Sequence, residues 1–307
     1  MLFGSAPPLC WLGSSPARCG NPLPQQRITV GSTILILSRH AQMSITVFEV
    51  SSLGDLIDRV TPREPDPVTG RWRDSGVYRG VADAEWTFLT SLDRLGGTNP
   101  PHTKTGLEEH ILRNFIRRSR PHFVHAPENE WELLVAAQHH GLPTRLLDWT
   151  YSPLVAAHFA TSEREGNVAR VIWRLDWKKM HQAFGFPALA LLIQDLDMLF
   201  GKAGHFTPWA LFREEAGQEA FACLIDPPSL DSRIVAQSAA FTLCSDKTQS
   251  FDRFLAQHGL EDALTKIVIP ASGVQRIRDQ LDLVGISERH LFPDLDGVAA
   301  EMRRYYS

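Results

Sequence analysis

From Ser44 to Val50 the chain alternates, Ser-Ile-Thr-Val-Phe-Glu-Val, with the period of two that sends successive side chains to opposite faces of a strand. Leu53-Gly54-Asp55-Leu56-Ile57 follows with helical spacing. Pro62, Pro65, Pro67 and Gly70 then predict a turn-rich connection, and Gly76-Val77-Tyr78-Arg79 has the composition of a short strand. Leu107, Ile111, Leu112, Phe115 and Ile116 fall near one face of a helix over 107–117. A second helix is predicted from Asn129 to His140, stopped by Gly141 with Pro143 just beyond. Arg145-Leu146-Leu147-Asp148-Trp149 is a buried strand, and Ser152-Pro153 supplies the N-cap and first position of a helix Leu154–Thr161. Farther on, strands are expected at Val168–Leu175, Ala220–Ile225, Arg233–Gln237, Phe241–Cys244 and Thr265–Ile269, and helices at 187–200, 250–258, 272–283 and 294–306. Helices and strands do not strictly alternate, so the expected class is α+β, mixed short-stranded sheets flanked by helices.

Residues 1–42 carry scattered Pro and Gly and neither period, which makes them a disordered or non-native N-terminal extension ahead of a single domain over 43–307, with Met43 as a candidate start. At 307 residues with 43% hydrophobic and 21% charged, the chain can bury a substantial core. A net charge of −4 gives no global reason for a nucleic-acid or anionic-membrane partner. No apolar run is long enough for a membrane span. Cys10, Cys19, Cys223 and Cys244 form no CxxC pair, which disfavours a disulfide scaffold or structural zinc and suits the reduced cytoplasm.

Three segments concentrate chemistry. In Val77-Tyr78-Arg79-Gly80 an arginine stands at a strand end, where its fork suits a phosphate or carboxylate; for an isolated strand-end arginine a structural salt bridge is the commoner role. The glycine there lets the chain turn or a ligand approach closely. Gln138, His139 and His140 fall in the last turn of a helix, facing a cleft, but adjacent histidines point about 100° apart and do not form a chelating pair. Asp148, Trp149 and Thr150 close the following strand, where a carboxylate orients a ligand hydroxyl and a ring stacks on a base; Ser152 is also explained by capping alone. Arg233 and Gln237 end a strand-like run. Arg113, Arg117, Arg118, Arg120 and His122 read as a solvated face or a phosphate contact. No GxSxG, P-loop or GxGxxG sequence is present.

Taken together, Tyr78-Arg79-Gly80 with Trp86, Leu89, Ser91-Leu92 and Arg94, then Trp131-Glu132, the run Ala137 to Thr150, Ser152-Pro153 and Ala156-Ala157-His158-Phe159-Ala160 resemble the FRG domain over roughly residues 50–270, with Tyr-Arg-Gly in place of Phe-Arg-Gly. The order of a strand with a terminal Arg, a strand ending in Thr-x-Ser, and a helix with Ala-x-x-Phe-Ala also resembles the ADP-ribosyltransferase fold and implies such a core. That resemblance implies NAD as substrate, bound by Tyr78, Arg79, Gly80, Gln138, His139, His140, Trp149 and Thr150. Arg79, Asp148, Ser152 and Gln237 would carry catalysis, Gln237 standing where those enzymes have a glutamate. It implies an effector or toxin of anti-phage defence with an unspecified protein or nucleic-acid target. A module that senses a nucleotide or nucleic acid without turnover is the alternative.

Overall fold

Seven short strands share one ladder: β1 (Thr46–Glu49), β2 (Val77–Val81), β3 (Leu147–Thr150), β4 (Arg170–Leu175), β5 (Ala222–Ile225), β6 (Ala239–Cys244) and β7 (Leu264–Ile269), in the order β1-β7-β4-β2-β3-β6-β5. β1 runs parallel to β7; the other neighbouring pairs are antiparallel. This computed structural model describes residues 45–306 apart from 86, 97, 99–101, 124–125, 163–166, 201–211, 213–218 and 230. The expected extension over 1–42, Met43, Cys10, Cys19 and Trp86 lie outside the described residues.

The described helices are α1 (Leu53–Val60), α2 (Ser91–Arg94), α3 (Lys104–Ser119), α4 (Glu130–His139), α5 (Pro153–Thr161), α6 (Trp177–Ala183), α7 (Ile193–Phe200), α8 (Ser232–Ala236), α9 (Phe251–Gln257), α10 (Ala271–Leu283), α11 (Glu288–Leu291) and α12 (Leu295–Tyr305). None of them is long and apolar enough to cross a membrane. The α+β class holds, as one mixed sheet rather than several.

Strand alternation sorts the core into layers. On one face Val77, Leu147, Trp149, Val171 and Trp173 pack against Trp177 and Met180 of α6 and Phe251 and Phe254 of α9. The other face carries two separate apolar clusters. Toward the β1 edge, Tyr78, Ile172 and Ile267 meet Leu56 of α1, Ala156 and Ala160 of α5, and Ile277 of α10. Toward the β5 edge, Cys223, Ile225, Phe241 and Leu243 meet Leu112 of α3, Leu134 of α4 and Leu196 of α7.

Three expectations change. Arg233–Gln237 is not a strand: Asp231 accepts hydrogen bonds from the Arg233 and Ile234 N–H groups at 2.8 and 3.1 Å and starts α8, so the cap overrides the β-branched pair Ile234-Val235. The following strand begins only at Ala239, after Ser238 turns the chain at φ 47°. The buried stripe of α3 is Thr105, Glu108 and Leu112, rotated from the predicted apolar face, with Ile116 exposed. Glu108 is tolerated there because Arg145, also fully buried, donates to it at 2.6 Å and to Thr105 Oγ1 at 2.9 Å. The third change is α6, which was not expected although Asp176 caps it through the Lys179 N–H.

Candidate functional site

The sheet is split at its centre. β2 and β3 share one residue pair, Tyr78 opposite Thr150, whereas β2 continues alongside β4 and β3 alongside β6. Past that pair the ladder stops, and a cleft of about 420 Å³ opens, lined by Tyr78 to Val81 of β2, by Ala82 just beyond it, and by Asp148 to Thr150 of β3. Gln138 and His139 at the end of α4 line it, as do Phe159 of α5, Arg233 of α8, and Gln237 and Phe292.

Arg79 bridges the split. Its Nη1 donates to the Asp148 carbonyl at 2.6 Å, where a ladder bond would otherwise run, and lies 3.7 Å from the Asp148 carboxylate. Burial pulls the Arg79 guanidinium below its ordinary value, and Asp148 opposes that shift. The Asp148 side chain remains 59% exposed. Gln138 fixes it from the other side, its Nε2 standing 2.9 and 3.0 Å from the two carboxylate oxygens. Because a carboxylate only accepts, the amide must present its NH₂ to Asp148, and its Oε1 accepts from the Thr144 hydroxyl at 2.5 Å.

His139 Nε2 meets the carboxylate of Asp231, the cap of α8, while burial depresses its imidazole below the ordinary value. His140 does not line the cleft; it is the exposed C-cap of α4, with its ring 5.2 Å from that of His139. Among the described residues no three His, Cys, Asp or Glu side chains gather in a metal-binding group.

The remaining predicted site residues divide. Tyr78 lines the cleft, but its hydroxyl is engaged, donating to Asp74, which Arg174 also holds, and burial raises its pKa. Trp149 is a core residue, donating from Nε1 to Thr242 at 2.9 Å. Thr150 donates to the Gln237 carbonyl at 2.7 Å and accepts from the Ser152 N–H at 3.1 Å. Ser152 is outside the cleft lining and caps α5 through the Val155 N–H. Gln237 lines the cleft from the end of α8, not from a strand, and donates to the Leu291 carbonyl at 3.1 Å. Gly80 lines it too, but its lack of a side chain serves α5: a Cβ there would run into the Ala156 carbonyl and lie 2.6 Å from the Ala160 nitrogen.

Sequence reasoning did not bring Arg94, Arg233 and Phe292 to this cleft. Arg94 is exposed at its rim, and the Arg233 guanidinium sits 4.7 Å above the Phe292 ring. Phe292 also meets Phe159 edge-on at 6.2 Å. The Arg113 to His122 cluster is exposed and does not reach the cleft.

The molecule is thus a mixed α/β protein with a basic, partly aromatic cleft in a split sheet. Residues 74–168, which supply β2, α2 to α5 and β3, match the family model of the FRG domain, so the chain carries an FRG domain. No curated protein and no solved structure matches the chain.

Proposed function

We propose that the cleft binds a nucleotide, with NAD as its ligand, and that the chain is an ADP-ribosyltransferase-like effector or toxin domain of anti-phage defence. The observation that carries this reading is charge: in a chain of net charge −4, Arg79, Arg94 and Arg233 line one cleft, against Asp148 as the single carboxylate among the described residues lining it. Phosphates answer such an excess of guanidinium groups. Phe159 and Phe292 offer an apolar wall to a base or a nicotinamide ring.

In ADP-ribosyl transfer the bond from ribose C1′ to the nicotinamide nitrogen breaks, and its electron pair leaves with nicotinamide. A nucleophile's lone pair forms the new bond at C1′ and the nucleophile gives up a proton. Positive charge builds on the ribose between these events, and a fixed carboxylate lowers its energy. Asp148, held by Gln138 and Arg79, is the carboxylate available for that role. Gln237 contributes a hydrogen-bonding Oε1 to a ribose hydroxyl, and no charge.

A second reading, a nucleotide-sensing module without turnover, is favoured by the same Gln237 and by the lack of a glutamate among the described residues lining the cleft. Incubation with NAD, following released nicotinamide by chromatography and melting temperature in parallel, separates the two. Transfer requires release by the wild type that is lost in Arg79→Ala and Asp148→Asn while both still fold. Stabilisation by NAD without release supports sensing, and neither effect removes both readings.

A further inference from the structure

We infer that Arg233, rather than Arg79 alone, grips the phosphate of the ligand, and that Phe292 presents it; this deepens the nucleotide reading of the cleft and rests on it. The guanidinium of Arg79 is already engaged with the carbonyl of Asp148 and lies beside its carboxylate. Arg94 is exposed, so bulk water and salt screen it. Arg233 differs from both. Among the described residues its Nε is shut off from water with no hydrogen-bond partner, and no ion pair reaches its guanidinium. The nearest carboxylate in sequence, Asp231, is committed to His139 and to the backbone N–H groups that open α8.

A buried, charged donor without an acceptor is costly, and native structures hold few of them without a role. The Phe292 ring compensates the charge in part, by the attraction of a cation to an aromatic face. It supplies no acceptor in the plane of the fork. The half-buried side chain lines the cleft, and the part of its fork that faces the cleft is where a phosphate oxygen pair would bind. The grip is also preorganised: Gln237, directly after α8, donates to the carbonyl of Leu291, the residue before Phe292. Arg233 and Phe292 both lie beyond residues 74–168, so the recognition of phosphate would be supplied by segments of this chain outside the residues that match the FRG model.

The test is titration calorimetry of the full chain with ADP-ribose, which carries the diphosphate but no nicotinamide to lose, and with adenosine as the phosphate-free control. Arg233→Gln is expected to weaken ADP-ribose at least about tenfold, the scale of a hydrogen-bonded charge, and to leave adenosine unchanged. Arg233→Lys keeps a charge but not the fork, and Phe292→Leu keeps bulk but not the ring; each is expected to weaken ADP-ribose by a smaller factor. If Arg233→Gln does not fold, Arg233→Lys decides alone. Wild-type chain that binds ADP-ribose, with variants that bind it equally or lose adenosine in proportion, overturns the role of Arg233 and leaves the nucleotide reading standing. Wild-type chain that binds neither NAD nor ADP-ribose overturns both.

Discussion

At the scale of single residues, the cleft is defined less by which side chains are present than by which are already satisfied. Thr150 and Ser152 spend their hydroxyls on α8 and on the start of α5, and the Tyr78 phenol is held by Asp74. What remains available is Asp148, and its orientation depends on a residue two bonds removed. Thr144 accepts from the Leu146 N–H at 3.2 Å, which leaves its own proton for the Gln138 Oε1, and this fixes the Gln138 NH₂ toward Asp148. Thr144→Val removes that donor with little change in shape and frees the amide to turn its oxygen toward the carboxylate. The expected loss is about 1 kcal/mol, or roughly fivefold in affinity for ADP-ribose by titration calorimetry. Thr144→Ser should restore it; a serine variant no better than valine would show that the amide orientation does not matter to the ligand.

At the scale of elements, β2 and α5 must approach closely for the split to exist. Gly80 permits this, because any β-carbon there would meet the backbone of α5, which cannot move as a side-chain tip can. Gly80→Ala is expected to cost ~3 kcal/mol, as overpacking against fixed neighbours does, and to lower the midpoint of denaturant unfolding without changing its slope. A midpoint equal to that of the wild type would mean that α5 shifts freely. The elements that build this region were legible in the sequence because their signals are local: Asn129 caps α4, Ser152-Pro153 opens α5, and Leu147 and Trp149 alternate with Asp148 in β3. α8 departs from the expected strand because Ile234-Val235 has strand propensity, whereas the equally local cap from Asp231 to the Arg233 and Ile234 N–H groups decides the outcome. No local pattern reports that β2 and β3 pair at one position and then part, since pairing is set by the whole sheet. Nor does anything near Phe292 announce that it meets Arg233, 59 positions away. The motif residues were therefore readable, and of the half of the cleft that comes from later segments only Gln237 was.

At the scale of the molecule, the C-terminal helices are tied to the cleft wall by one partly buried network. Arg278 of α10 stands 2.9 Å from His158 Nδ1 on α5 and also pairs with Glu288 of α11, while Arg304 of α12 donates to Glu288 at 2.9 Å and to Asp282 at 2.6 Å. His158 precedes Phe159, which meets Phe292, so this network holds the aromatic wall in place. Burial, and then the adjoining Arg278 charge, push the His158 imidazole down to about 4. In the unfolded chain the same group takes up a proton near its ordinary value of about 6.5. As pH falls below that value the unfolded state gains a proton that the folded state refuses, so stability declines with acidity until the folded imidazole also titrates at about 4. Glu288 acts in the same direction: burial raises its carboxyl, but hydrogen bonds from Arg304 and the charges of Arg278 and Arg304 hold it below the ordinary range, a contribution lost at lower pH still. The His158 share is on the order of 3 kcal/mol across its window. Melting temperature followed from neutral pH downward should therefore decline from about 6.5, before carboxylates protonate. In His158→Gln, whose amide oxygen accepts from Arg278 without titrating, the upper part of that decline should flatten; an unchanged slope would place the acid sensitivity elsewhere in the fold.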